Sequence, residues 1–136
     1  MSAAAEAMHK AVLAALAANA GVKAALGDPP RLYDDAPPGA AFPYAILGEG
    51  RASPLAGLDG AVEHDIRIGI FSRHAGRAEI RRLIDAVYDA LHEAAFAIEG
   101  HRLVGIRFVF ADAFRRGADD LYQGAVRFRA VTEVSA

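Results

Sequence analysis

Apolar residues between Ala3 and Ala18 recur with a helical period. Met8, Val12, Leu13 and Leu16 share one stripe with Ala5 and Ala15 at its edges, which predicts an amphipathic helix ended by Asn19 and Gly21. A short helical turn over Val22–Leu26 follows, halted by Gly27 and Asp28-Pro29-Pro30. Arg31–Tyr33 reads as a brief extended segment and Asp34–Ala41 as a Pro/Gly/Asp loop. Tyr44–Leu47 reads as a short strand, with Pro43 at its start because proline cannot donate to a ladder. Between Gly50 and Gly60 small residues follow without a period, so a long mobile connection is expected there.

The second half is more strongly patterned. Ile66, Ile68 and Ile70 alternate with Asp65, Arg67 and Gly69, which predicts a strand over Ala61–Ser72 with one apolar face. A turn at His74-Ala75-Gly76 precedes a helix predicted over Arg77–Ala95, whose apolar face carries Ile80, Leu83, Ile84, Val87, Tyr88 and Leu91. Ala97-Ile98, a Glu99-Gly100 turn and Arg102–Ala111 predict a hairpin into a longer strand. In it Val104, Ile106, Phe108 and Phe110 share one face, opposite Leu103, Gly105, Arg107 and Val109. A polar interruption is expected over Asp112–Asp120, then a last strand over Tyr122–Val134.

This order of elements, joined by hairpin-length links, predicts one α+β domain over residues 1–136. Its antiparallel sheet has about four to five strands, and two helices pack on one face. The core comprises both helix stripes and the Ile66/Ile68/Ile70, Ile106/Phe108 and Val126/Phe128 rows. The opposite sheet face carries Arg67, Phe71, Leu103, Arg107, Val109, Arg127, Arg129 and Val131. Arginine among large apolar groups is an interface composition. The competing reading is a solvated face on which arginine stems cover the apolar residues.

Composition changes this picture by exclusion. The chain has no cysteine, so disulfides, thiolate metal sites and cysteine nucleophiles are excluded. A net charge of −2 provides no overall basic field for nucleic acid. The Ala-rich start carries Glu6, His9 and Lys10 and does not read as a signal peptide, and no apolar run reaches a membrane span; a soluble cytoplasmic protein is expected.

No catalytic constellation emerges. His64 and Asp65 are strand neighbours that point to opposite faces, so they cannot share a metal ion, and a surface His beside a surface Asp is expected. Gly48-Glu49-Gly50 lacks the further glycine and the Lys-Ser/Thr of a phosphate loop. Ser53, Ser72 and Ser135 have no nucleophile-elbow context. No enzymatic activity, cofactor or metal is expected.

Several segments, in order, resemble a known family. These are Leu13-Ala14-Ala15-Leu16, Gly21-Val22, Leu26-Gly27, Arg31-Leu32-Tyr33-Asp34, Pro37 and Phe42-Pro43-Tyr44-Ala45-Ile46-Leu47-Gly48 in the first half. Phe71-Ser72-Arg73, Gly76-Arg77-Ala78-Glu79 and Tyr122-Gln123-Gly124-Ala125-Val126-Arg127-Phe128-Arg129 continue the pattern. The chain is similar over nearly its whole length to the tail-terminator, or tail-completion, proteins of long-tailed phages and phage-like gene transfer agents.

The resemblance implies a homo-oligomeric ring, usually a hexamer, on the head-proximal end of the tail tube. Such a ring ends tube polymerisation, docks the head-completion (stopper) protein and lets DNA pass through its channel without sequence-specific binding. The subunit is then made in the cytoplasm and resides in the particle, with no membrane partner. Heterologous ring contacts need two complementary surfaces per subunit. Arg51, Arg67, Phe71, Arg107, Arg127 and Arg129 are the candidate subunit-interface or channel-lining residues, and the Gly50–Gly60 connection is expected to order on assembly. The alternatives are a head–tail connector or stopper subunit, and a small dimeric α+β ligand-binding domain using the arginine face as an anion site.

Overall fold

A computed structural model describes residues 3–73, 77–117 and 120–135. The turn expected at His74-Ala75-Gly76 lies outside the described residues. Helix α1 spans Ala3–Ala18, with Ala4, Met8, Ala11, Val12 and Leu16 buried along one stripe. Asn19 ends it and starts α2 (Ala20–Leu26), its side chain accepting the Val22 N–H at 3.0 Å. Gly27 terminates α2 with φ 97°, a conformation that suits glycine.

Two short strands follow, β1 (Leu32–Tyr33) and β2 (Tyr44–Leu47), and they run parallel to each other. Strand β3 (Arg51–Pro54) pairs antiparallel with the first half of β4 (Ala61–Ser72), and β2 pairs with the second half. Helix α3 covers Ala78–Leu91, and the chain ends in a long hairpin of β5 (His101–Arg116) and β6 (Leu121–Val134). The sheet order is β1-β2-β4-β6-β5, with β3 beside β2 on the same edge of β4.

All twelve residues of β4 pair with β6, from Ala61 opposite Glu133 to Ser72 opposite Tyr122. Their inward rows, Ile66, Ile68 and Ile70 against Val126, Phe128 and Ala130, join the buried helix residues in one core. An aromatic run ties α3 to the hairpin: Tyr88 meets Phe108 edge-on at 5.1 Å, and Phe108 meets Phe128 at 5.8 Å. At the other end of α3, the buried Ser72 hydroxyl donates to Glu79 in the first helical turn, where a carboxylate complements the helix dipole.

The α+β class and the helix-on-one-face arrangement agree with the sequence reading; several local expectations are corrected. Among the described residues the sheet has six strands, and its β1–β2 pair makes it mixed rather than purely antiparallel. The Gly50–Gly60 stretch is not a featureless connection, because Arg51–Pro54 gains a ladder with Val62–Asp65 and only a tight turn remains. Helix α3 stops four residues early, at Leu91. Glu93 turns the chain with φ 55° and donates its N–H to the Ile106 carbonyl of β5 at 2.9 Å. The polar run beginning at Asp112 does not end β5, which pairs with β6 through Arg116 opposite Leu121.

Three bulges shape the sheet. Between the Leu47–Ile68 and Arg51–Asp65 pairs, the β2–β3 side carries one more residue than β4, so Gly48-Glu49-Gly50 is a bulge. A Cβ at Gly50 would lie 2.9 Å from the Asp65 carbonyl oxygen, whereas one at Gly48 meets nothing closer than 3.5 Å. The other two lie in β5, at Val104 and Val109. We expect Gly50→Ala to cost about 1–3 kcal/mol of stability through this close approach, with Gly48→Ala distinctly milder. Phe128→Ala, which empties a fully buried site, is expected to cost about 3–5 kcal/mol. Urea unfolding of the three variants checks both expectations, and equal stability of the two glycine variants would remove the bulge argument.

Candidate functional site

Strand parity divides the chemistry of the sheet. Even-numbered residues of β4 and β6 face the helices, and odd-numbered residues face away. Arg67 and Arg127 are direct cross-strand partners on this outer face, as are Asp65 and Arg129. Arg107 opposes Arg129 from β5, Arg51 opposes Asp65 from β3, and Phe71 opposes Tyr44 from β2. The six residues singled out from the sequence thus share one face: five guanidinium groups form its centre and Phe71 lies towards one end.

Carboxylates that the sequence did not single out partly balance this charge. Asp65 accepts from Arg67 at 3.0 Å and lies 3.8 Å from Arg127, while Glu63 lies 3.9 Å from Arg129. Arg127 also sits over the Phe110 ring, 5.6 Å from its centroid. Such exposed pairs contribute only a few tenths to about 1 kcal/mol each. Among the described residues Arg51 and Arg107 form no ion pair, so the centre of the face retains an excess of positive charge.

The apolar members of the face come largely from the bulges. One extra residue at Val104 reverses the expected alternation, so Leu103 opposes Thr132 and packs towards the core instead of pointing out. Val104, expected inside, is 50% exposed. The bulge at Val109 likewise turns Phe110 outward to oppose Arg127, where it is 44% exposed. Gly105 within a strand pattern was the one sequence signal of this irregularity.

Two grooves cross the face and meet at Val109 and Arg129. One of about 430 Å³ is lined by Val104, Gly105, Arg107, Phe108, Val109, Arg129 and Val131. The other runs past Arg51, Ser53, Glu63, Asp65 and Arg127. Towards the β1–β2 end the face becomes aromatic. Tyr44 stacks on Phe71 at 5.0 Å, Phe42 and Tyr33 pack around Tyr44, and the Arg73 guanidinium covers Phe42. The sequence reading missed this cluster, although Tyr44 and Phe71 lie within strands whose alternation was legible.

The family model described as tail completion protein gp17 matches residues 10–133. The chain belongs to that family. It is also similar to a chain in the virion of a native gene transfer agent particle. That likeness has 32% sequence identity and a TM-score of 0.87, and covers 98% of this chain and 99% of that one. No curated protein matches it. Membership places this chain among structural tail proteins.

Within this tail completion protein, the outer face combines exposed apolar groups with guanidinium groups that the nearby carboxylates only partly balance. No helix among the described residues is long and apolar enough to cross a membrane. Among the same residues no group of three or more His, Asp or Glu side chains is placed to hold a metal ion.

His64 is not the surface histidine expected from sequence. It is 2% exposed on the helix-facing side of β4, where Nε2 and the buried Thr132 hydroxyl are 2.8 Å apart. Its neighbour Asp65 points to the outer face, as the strand argument required. A small cavity beside His64 is also lined by His9, Met8, Leu47, Arg51 and Asp65. Burial holds the His64 pKa below its ordinary 6.5, and the positive charge available to His101 lowers it further.

The unfolded chain therefore binds this proton at higher pH than the folded one. The stabilisation from neutral His64 is complete above pH 6.5 and is lost as pH falls from there towards the depressed folded value. We expect urea-unfolding stability to decline between pH 7.5 and 5.5, and His64→Gln to reduce that slope while retaining a hydrogen-bonding group. An unchanged slope in the variant would show that other groups set the acid sensitivity.

Proposed function

We propose that this protein forms a ring on the head-proximal end of a tail tube, where it ends tube polymerisation and presents the docking surface for the head side. The observation that carries this reading is the end-to-end likeness to a gene transfer agent virion chain, in a chain that matches the tail completion family over residues 10–133. The coverage leaves no large part of either chain unmatched, so the whole fold is shared rather than one motif. The ring is a homo-oligomer, a hexamer in the particle. It contacts the tail tube protein on one side and the head-completion protein on the other, and DNA crosses its centre during delivery. The subunit is made in the cytoplasm and retained in the finished particle.

The outer sheet face supports assembly over ligand binding. Its positive charge is spread along two open grooves and interleaved with Val104, Val109 and Phe110, instead of converging on an enclosed anion pocket. We assign Arg51, Arg67, Phe71, Arg107, Arg127 and Arg129 to contacts between subunits or to the channel wall.

Deleting the gene in a particle-producing strain and imaging the lysate by negative-stain electron microscopy tests the reading. Full heads beside unattached tails, some of them overlong, are expected. Tails of normal length beside heads that have lost their DNA would assign the protein to the connector or stopper position instead. Complete particles in normal numbers would remove the tail-terminating function altogether.

A further inference from the structure

The turn between β3 and β4 is a closed loop that displays a leucine. Leu55 N–H donates to Ala61 O at 3.0 Å, Leu58 N–H to Leu55 O at 3.3 Å, and Ala61 N–H to Leu58 O at 3.3 Å. Gly57 and Gly60 adopt φ values of 83° and 78°, which side-chain-bearing residues rarely tolerate. The result is a preformed tip on which Leu58 is 59% exposed. Asp59 is exposed beside it and forms no ion pair among the described residues. These hydrogen bonds give the loop a defined shape from its own backbone.

The converse surface is the groove of about 430 Å³ on the outer face. Its apolar wall is Val104, Val109 and Val131, and Arg107 and Arg129 flank it. Val104 and Val109 are about half exposed because each occupies a bulge, where neither packs into the core. Arg107 has no carboxylate partner among the described residues, and the one near Arg129 is 3.9 Å away. Among the described residues the chain thus carries an apolar knob beside the unpaired Asp59 and an apolar groove beside the unpaired Arg107.

They do not satisfy each other within one molecule. The tip is tied to the end of the sheet by Val134 N–H donating to Gly60 O at 3.3 Å, and Leu58 stays exposed. We propose that the β3–β4 tip of one copy docks in the outer-face groove of a second copy. Leu58 enters between Val104, Val109 and Val131, and Asp59 pairs with Arg107 and Arg129. Knob and groove are different surfaces, so the contact is heterologous, and each added copy leaves one of each free until the last contact closes the ring. Opposite charge at the two surfaces also sets the register of docking. The inference rests on the proposed self-assembly and names the surfaces that accomplish it.

The absence of cysteine allows a direct test. A chain carrying Leu58→Cys and Val109→Cys is expressed in the producing strain, and assembled particles are treated with a short bismaleimide. A covalent ladder of this subunit is expected on a denaturing gel. A control chain carrying Leu58→Cys with Ala14→Cys, which lies on the exposed side of α1, should give none. Particles that contain the double variant but show no ladder would overturn the proposal, as would linkage of Val109→Cys to a different virion protein.

Charge reversal provides a readout that survives a failure of the cysteine variant to assemble. Asp59→Arg should lower the yield of complete particles on the order of tenfold or more. Adding Arg107→Asp, at the arginine with no carboxylate partner among the described residues, should recover much of that loss, and a double variant no better than the single one overturns the pairing. A ladder from the purified chain, combined with normal particles after gene deletion, would keep the knob-and-groove contact while removing the tail-terminating function. Unattached tails on deletion without any ladder would do the reverse.

Discussion

The rest of the molecule depends on the register between β4 and β6. These strands pair over the full length of β4, and the pairing assigns every side chain of both strands to one of two faces. A slip of one residue would carry Ile66, Ile68, Ile70, Val126 and Phe128 into solvent and bring arginines against the helices. The helices enforce the register from their side, because Met8, Val12 and Leu16 of α1 and Ile80, Leu83, Val87 and Leu91 of α3 have no other apolar surface to cover. His64 and Thr132 fit the same parity, satisfying each other at the buried end of the ladder.

The outer face follows from that constraint combined with the bulges. Parity alone brings Arg67, Arg107, Arg127 and Arg129 together beside Phe71, Val109 and Val131. The extra residues at Val104 and Val109 expose two valines and turn Phe110 outward beside Arg127. The bulge at Gly48-Glu49-Gly50 resets the parity of β3, so that Arg51 joins the same face opposite Asp65. The carboxylates of Glu63 and Asp65 limit the repulsion among these arginines without neutralising them. A sheet whose opposite face is fully packed can carry exposed apolar and charged groups without losing its fold.

Family and fold class were legible in the chain because they reside in order and periodicity. The helix over Ala3–Ala18 and the strands over Tyr44–Leu47 and Ala61–Ser72 have the limits their patterns predict, since each is amphipathic by itself. The gathering of Arg67, Arg107, Arg127 and Arg129 on one face was legible for the same reason, as each lies on a strand with a clear inward row.

What escaped the pattern depends on a partner strand or on one inserted residue. Arg51–Pro54 has no periodicity and becomes a strand because β4 offers it a ladder. Asp112–Arg116 is polar enough to read as a loop, yet β6 holds it extended. Leu103, Val104 and Phe110 exchanged faces because alternation counts residues and cannot see a bulge, which exists only in the pairing of two strands. His64 has the parity of Ile66, Ile68 and Ile70, but its burial depends on what packs over that end of the strand. Local periodicity therefore determined the amphipathic elements, their order and the inward rows of β4 and β6. Long-range backbone pairing decided which apolar groups were left outside beside the arginines, because hydrogen bonds between distant strands are written in neither strand alone.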